Sequence, residues 1–191
     1  QMASLNTALG AAEIKAKDQN AQIVSLGKRL NAALASKVME LSTYRSEFFG
    51  KLAKILGAQK GVEIVGDRFV FQSEVLFASA EAELNIGAYD QLRGLAGTLI
   101  DLQGRIPKDI DWVLRVDGHT DRVPIHTVQF ASNWELSSAR AISVVKFLIE
   151  QGVPAKRLVA AGFGEYQPLT KAVDPKSLTR NRRIELKLTQ R

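Results

Sequence analysis

From Gln1 to Leu56 the chain contains no proline, and its apolar or small residues recur at steps of four and three. Leu5, Leu9, Ala12, Ala16, Ile23, Leu26 and Leu30 fall on that repeat, with the polar Gln19 in the gap. A strand cannot satisfy such a period, because its side chains alternate every second residue; a helix turns it into one apolar seam. From Leu30 the seam steps by four twice, to Leu34 and Val38, and continues through Leu41, an insertion that locally unwinds a coiled coil. Phe48, Leu52 and Ile55 keep a helical spacing, and Gly57 is placed to stop the helix. Such a helix would measure roughly 80 Å at ~1.5 Å per residue. It either packs on its own domain or forms a stalk that pairs with a second copy. The alanines and Gln19 make the seam weak, so pairing would lean on an anchor elsewhere.

After Gly57 the pattern changes. Val62, Ile64 and Val65, then Phe69, Val70 and Phe71, read as two strands meeting at a Gly66-Asp67 turn. Residues 73–83 look irregular, with Val75, Leu76 and Phe77 as buried anchors. Ile86 to Leu102 carries Tyr89, Leu92, Leu95, Leu99 and Leu102 at helical spacing, ended by Gly104 and Pro107. Trp112 to Val116 reads as a short strand interrupted by Arg115, followed by a polar loop over 117–133. A clear amphipathic helix runs from Trp134 to Glu150, with Ser132 and Glu135 at capping-box spacing. Leu158 to Ala161 is a strand, 162–181 a loop, and Ile184 to Leu188 a last, alternating strand. The expectation is an α/β sandwich, one mixed sheet packed by two main helices, preceded by a long N-terminal helix. The domain division follows: a helical segment over 1–56 and a folded domain over 57–191.

Composition narrows the function. A hydrophobic share of 46% with 24% charged residues suits a chain that buries a core, not a disordered one. The longest apolar runs, such as Ala141 to Leu148, are broken by Ser143 and Lys146 and fall short of the ~18 residues a membrane span needs. The chain opens on Gln1 and is read as a fragment or processed form whose preceding segment holds a membrane helix. With no cysteine, a disulfide framework, a thiol nucleophile and thiolate-bound zinc are excluded. The net charge of +6 is uneven: residues 1–60 carry nine Lys/Arg against four Asp/Glu, residues 61–191 seventeen against sixteen. A nearly neutral folded part argues against a nucleic-acid partner.

Polar residues concentrate in three places. Asp117-Gly118-His119-Thr120-Asp121-Arg122 follows a strand, Asn133, Ser137 and Arg140 begin a helix, and Arg180-Asn181-Arg182-Arg183 precedes the final strand. Strand ends beside helix N-termini are where α/β proteins place ligands. Several chemistries fit these residue types. A metal hydrolase would use Asp117, His119, Asp121 and His126, although the alternate positions and the absence of a second cluster weigh against it. A serine hydrolase would need Ser137 or Ser138 without any G-x-S-x-G elbow. A non-catalytic site for a zwitterion would pair a carboxylate with an ammonium and an arginine with a carboxylate. The plain structural alternative for the same residues is an internal Asp121–Arg140 salt bridge that fixes the loop.

Four ordered motifs carry a resemblance. Gly118-His119-Thr120-Asp121, Leu136-Ser137-x-x-Arg140-Ala141, Gly162-Phe163-Gly164 with Pro168, and Asn181-Arg182-Arg183-Ile184-Glu185 resemble those of the OmpA-like peptidoglycan-binding domain, over roughly residues 62–190. Phe130-Ala131-Ser132-Asn133-Trp134-Glu135-Leu136-Ser137 is similar to the branch found in MotB-type stator proteins of the flagellar motor. The 19-residue separation of Asp121 and Arg140 matches that branch better than the plain outer-membrane members. The resemblance implies non-enzymatic, cofactor-free and metal-free binding of the peptide stem of peptidoglycan, chiefly its diaminopimelate. Asp121 would take the α-ammonium and Arg140 the α-carboxylate, with backbone N–H groups around Thr120 and Asp121 adding hydrogen bonds. Asn133 and Arg182 would border the site, and the loop 122–131 would shape its rim. His119 is expected to be a partly buried ring orienting the loop, Trp134 a packing residue on the helix cap, and Arg183 to turn away from Arg182.

The same resemblance implies a periplasmic wall anchor, homodimeric, tethered to the inner membrane by a helix outside this chain and partnered by a MotA-like ion channel. A stator-like protein outside the flagellum fits as well. The alternatives are a metal-dependent hydrolase acting on the wall peptide and a purely structural dimerisation module.

Overall fold

The computed structural model describes residues 1–56, 62–106 and 111–190. Gly57 and Pro107, expected as helix stops, and the side chains of Leu41, Phe48, Leu52, Ile55 and Leu102 lie outside the described residues. The chain forms two compact units, Gln1–Thr43 and Tyr44–Arg191, with helix α1 (Met2–Leu56) contributing to both. The expected division falls at 56/57, whereas the second compact unit begins at Tyr44.

The first unit is helix throughout after Gln1, and its seam is uncovered: Leu5, Leu9, Ile23, Leu26 and Leu30 are each 60–69% exposed. In the second unit the last turns of α1 reach the sheet domain. Phe49 stacks on Phe69 with centroids 4.6 Å apart, and Glu47 accepts a hydrogen bond from Arg105 at 2.9 Å.

Five strands make one mixed sheet in the order β1-β2-β5-β3-β4. They are β1 (Val62–Val65), β2 (Arg68–Gln72), β3 (Trp112–His119), β4 (Leu158–Gly162) and β5 (Arg183–Gln190). The β3–β4 pair runs parallel; β1–β2, β2–β5 and β3–β5 are antiparallel. Gly66, at φ +61°, makes the expected β1–β2 turn. The two main helices are α3 (Ile86–Gln103) and α4 (Asn133–Glu150), and two short ones, α2 (Ser73–Leu76) and α5 (Pro175–Asn181), complete the unit.

Period-two alternation sorts the sheet residues. Leu114 and Val116 of β3, Ile184 and Leu186 of β5, and Phe69 and Phe71 of β2 are fully buried, as are Leu92, Leu95 and Leu99 of α3 and Val144 and Leu148 of α4. Gly118 shows which face α4 covers: a Cβ there would lie 2.1 Å from the Ser137 carbonyl oxygen. The other face carries Arg115, Asp117, His119, Arg183 and Glu185 at paired positions, Asp117 opposite Glu185 and His119 opposite Arg183.

Three expectations are corrected. β3 is not a five-residue strand broken at Arg115; it continues through Asp117, Gly118 and His119, because Arg115 donates to Asp117 at 2.7 Å and Glu185 takes bonds from Arg68 and Arg183. Mutual neutralisation lets charged residues stay in a ladder. Ser73–Leu76 is a helical turn, although Leu76 and Phe77 are buried as expected. The 162–181 loop contains α5, started by Asp174, whose carboxylate accepts from Ser177 N at 3.0 Å, with Pro175 at the first helical position.

Candidate functional site

The carboxyl end of β3, the start of α4 and the entry to β5 meet α2 around a cavity of about 510 Å³. Glu74, Phe77, Thr120, Asp121, Arg140 and Arg182 line it, with Asn133 at its edge. The structure thus brings together every site residue expected from the sequence: Asp121, Arg140, Thr120, Asn133 and Arg182.

Asp121 is 6% exposed and held from two sides. Its Oδ1 accepts from Val123 N at 2.9 Å, closing the loop back on itself, and its Oδ2 accepts from Arg182 Nη1. Arg182 also pairs with Glu74 at 2.5 Å and donates to Thr179. Burial works against the charge of Arg182, but the bonds to Asp121 and Glu74 outweigh it and raise its pKa.

Arg140 stands differently. It is 4% exposed, its guanidinium lies 5.2 Å over the Phe77 ring, and it donates to the carbonyls of Glu81 (Nε, 2.8 Å) and Ala78 (Nη2, 3.3 Å). Among the described residues it has no carboxylate partner within 4.0 Å. Burial therefore pulls its pKa down to about 10. The internal Asp121–Arg140 salt bridge weighed from the sequence is not formed: Asp121 is bonded to Arg182 instead. Two side-chain hydroxyls of the cavity lining, Ser73 Oγ and Thr120 Oγ1, are buried without a hydrogen-bond partner among the described residues.

The framework around the cavity is fixed. Ser132 caps α4 through Trp134 N at 3.1 Å and bonds Glu135, as the capping-box spacing foretells. Asn133 donates its amide to the carbonyls of Val123 (3.0 Å) and Asp121 (3.3 Å) and to Glu165 (2.5 Å). It positions the loop rather than presenting a free donor. Thr120 N is likewise engaged, donating to Gly164 O at 2.9 Å, so it is not the free backbone donor expected there. Ser137 is fully buried and joins Trp134 O to Gly164 N, which disposes of it as a nucleophile. Val123, Pro124 and Ile125 form the rim, while His126 contacts Ala131 O.

His119 is buried, as expected, but orients nothing by hydrogen bonds. Neither ring nitrogen has a partner among the described residues, and the ring stacks on Phe163 at 5.0 Å. Burial, then the Arg183 charge, push its pKa down to about 4. Arg183 turns from the cavity to Glu185, opposite to Arg182, as expected. Asp117, His119, Asp121 and His126 do not converge, and among the described residues no three His, Cys, Asp or Glu side chains gather as a metal-ligand set. Trp134 stacks on Tyr166 but remains 46% exposed, so it does not merely pack. The residues that sequence reasoning misses are Glu74 and Phe77, on a segment that reads as irregular. Their one signal is a lone carboxylate inside Ser73-Glu74-Val75-Leu76-Phe77.

Comparison with known proteins gives a consistent picture. The family model of the OmpA family matches residues 68–182. Motility protein B of Bacillus subtilis is 39% identical over 77 residues, 40% of this chain and 30% of its own length. A MotB-like protein from Desulfovibrio vulgaris superposes with a TM-score of 0.63 at 26% identity, covering 82% of this chain and 96% of that one. The cell wall anchor of the T6SS from Pseudomonas aeruginosa superposes at 0.61 and 31% identity, covering 75% of this chain and 97% of that one. The chain spans less than half the length of the first curated relatives it matches.

Proposed function

The chain belongs to the OmpA family, and from that premise we propose that it binds peptidoglycan non-covalently, through the peptide stem, and anchors a larger assembly to the cell wall. The observation that carries this reading is Arg140: a buried guanidinium with no carboxylate within 4.0 Å among the described residues, in a cavity whose other wall holds a carboxylate. An unpaired buried charge costs several kcal/mol unless something neutralises it. A ligand carboxylate supplies that missing partner to the guanidinium hydrogens not taken up by Ala78 and Glu81. Asp121, with Glu74 beside Arg182, gives the opposite sign for an ammonium. One carbon bearing both groups, as at the end of diaminopimelate, satisfies the two walls together. Ser73 and Thr120 offer hydroxyls to the same ligand.

Arg182 and Asn133 act as positioning residues, Arg182 by holding Asp121 and Asn133 by holding the loop. No step of bond cleavage is needed, and the reading is of a binder, not an enzyme. The domain then works in the periplasm. The helical segment would be a stalk that pairs with a second copy, joined to the inner membrane and a MotA-like channel partner by parts of the protein beyond this chain. Among the described residues no helix is long and apolar enough to cross a membrane.

The test is retention on purified peptidoglycan sacculi of the 191-residue chain and of Asp121→Ala and Arg140→Gln, with thermal melts alongside. Wild type should be retained, and each variant, still folded, should lose at least about tenfold in affinity, since a charge-assisted contact contributes ~1.5–3 kcal/mol. Folded wild type that washes through, or folded variants retained equally, would overturn the proposal.

A further inference from the structure

Four charged side chains line the cavity, two of each sign: Glu74 and Asp121, Arg140 and Arg182. They are not distributed evenly. Arg140 has no carboxylate within 4.0 Å among the described residues, while the other three form one cluster in which Arg182 bonds both carboxylates. All three guanidinium nitrogens of Arg182 are engaged. Nε and Nη2 reach Glu74 at 2.6 and 2.5 Å, Nη1 donates to Asp121 Oδ2, and Nη2 also donates to Thr179.

The sum of these charges decides what the wall can attract. Asp121 and Arg182 alone would make a closed, neutral pair with no net charge for a cation. Glu74 gives the cluster one negative charge in excess. Room for a further donor remains on Asp121, because a carboxylate has about four acceptor sites. Among the described residues Asp121 receives a bond on Oδ1 from Val123 N and one on Oδ2 from Arg182.

The backbone brings Glu74 to this place without help from its side chain. Gln72 lies opposite Arg183 in the β2–β5 ladder, and Ser73 N donates to Arg182 O at 3.0 Å, which sets the next residue beside the Arg182 side chain. The helical turn that follows is tied by Asn85, whose backbone N–H and side-chain amide donate to Leu76 O and Val75 O, each at 2.9 Å. The Glu74 carboxylate itself is half exposed and bonds only Arg182 among the described residues. What depends on it is charge. Its field also crosses the cavity: burial pulls the pKa of Arg140 down, and Glu74 opposes that pull more strongly than Asp121 does.

We propose that Glu74 is the residue that makes this site select a zwitterion: by taking up the charge of Arg182 it leaves that of Asp121 to an ammonium. The proposal rests on the peptide-stem reading above and adds the group that sets the choice. Without the Glu74 charge the lining becomes two arginines against one carboxylate, and the cavity suits a carboxylate with no ammonium beside it.

Titration calorimetry of the 191-residue chain with three synthetic stem peptides tests this, with thermal melts alongside. The peptides differ at one residue. The first carries diaminopimelate, the second 2-aminopimelate, which keeps the side-chain carboxylate and lacks the ammonium, and the third lysine, which keeps the ammonium and lacks the carboxylate. Wild type should bind the first at least about tenfold more tightly than either of the others. Glu74→Gln keeps the side-chain length and an oxygen that accepts from Arg182. It should cut the advantage over the aminopimelate peptide to about twofold or less, while the advantage over the lysine peptide, which Arg140 supplies, persists. Adding Arg182→Gln to Glu74→Gln removes both charges, returns the excess to Asp121 and should restore the lost advantage. Equal weakening of all three peptides by Glu74→Gln is what a merely structural side chain would give, and it overturns the proposal. So does an advantage that Glu74→Gln leaves intact, or one that the double variant fails to restore. A wild type that binds the peptides without preferring diaminopimelate overturns the zwitterion reading and the proposal with it; one that binds none of them overturns the peptide-stem reading.

Discussion

His119 enters the fold as a neutral ring. At 4% exposure, stacked on Phe163 and, among the described residues, without a hydrogen bond to either nitrogen, it has Glu185, 3.8 Å away, to stabilise a proton. Burial and the charges of Arg183, Arg68 and Arg115 outweigh that carboxylate and hold its pKa down at about 4. In the unfolded chain the imidazole titrates near its ordinary value of ~6.5. The unfolded state therefore binds a proton that the folded state refuses. Stability from this residue is complete above about pH 6.5 and is lost as pH falls toward 4, by about 3 kcal/mol in all. Burial alone would raise Glu185, but its bonds from Arg68 and Arg183 hold it below the usual carboxylate range. Glu185 therefore gives way only at lower pH, and the two windows separate. Urea unfolding at pH 7 and pH 4.5 checks this. His119→Phe keeps a ring against Phe163 and should flatten most of the wild-type loss; an unchanged loss would mean another group titrates.

At the scale of elements, two glycines decide where α4 lies and so where Arg140 and Asn133 point. A Cβ on Gly118 would sit 2.1 Å from Ser137 O, and one on Gly162 2.7 Å from Ser138 N, both against the helix backbone. Backbone cannot rotate aside as a side chain can, so Gly118→Ala must push α4 off the sheet. The expected cost is about 1–3 kcal/mol, seen as a fall of several degrees in Tm together with weakened sacculus binding. Gly97, on α3, is the control, because a Cβ there would meet nothing within 4 Å. Gly97→Ala should leave binding intact and raise stability by up to ~1 kcal/mol.

These elements also show what the sequence makes legible. The α3 and α4 repeats, the Gly66 turn and the opposite facing of Arg182 and Arg183 follow from period alone and are found as expected. The length of β3 is not legible, because Asp117 and His119 lie in the ladder opposite Glu185 and Arg183 of β5, and the Arg68 of β2 that helps balance Glu185 is far away along the chain; only the Arg115–Asp117 pair is local. The choice of Arg182 over Arg140 as the partner of Asp121 is hidden for the same reason: spacing brings residues to one pocket but does not choose between two arginines. Helix α5 is signalled by Asp174-Pro175, a cap followed by a proline, but it lacks the apolar repeat that makes a helix stand out.

For the molecule as a whole, the proposed anchoring role asks how a single cavity of about 510 Å³ would hold a load on a wall. On the proposed site, with one carboxylate and one arginine to meet the ligand, affinity would be modest, and linking two sites on one polymer would multiply it by about 10²–10⁴. The uncovered seam of the first unit is where two chains would join: Leu5, Leu9, Ile23, Leu26 and Leu30 all lie open to solvent on a heptad repeat. We therefore expect the chain to be a dimer in sedimentation equilibrium, and weakly so, given its alanines and Gln19. Leu26→Asp with Leu30→Asp should shift it to monomer and reduce retention on sacculi by roughly tenfold or more, while affinity for a soluble muropeptide stays unchanged. The two readouts separate avidity from site chemistry. A monomeric wild type retained as tightly as expected would place the whole of the anchoring strength in the single domain, and the helix would need another role.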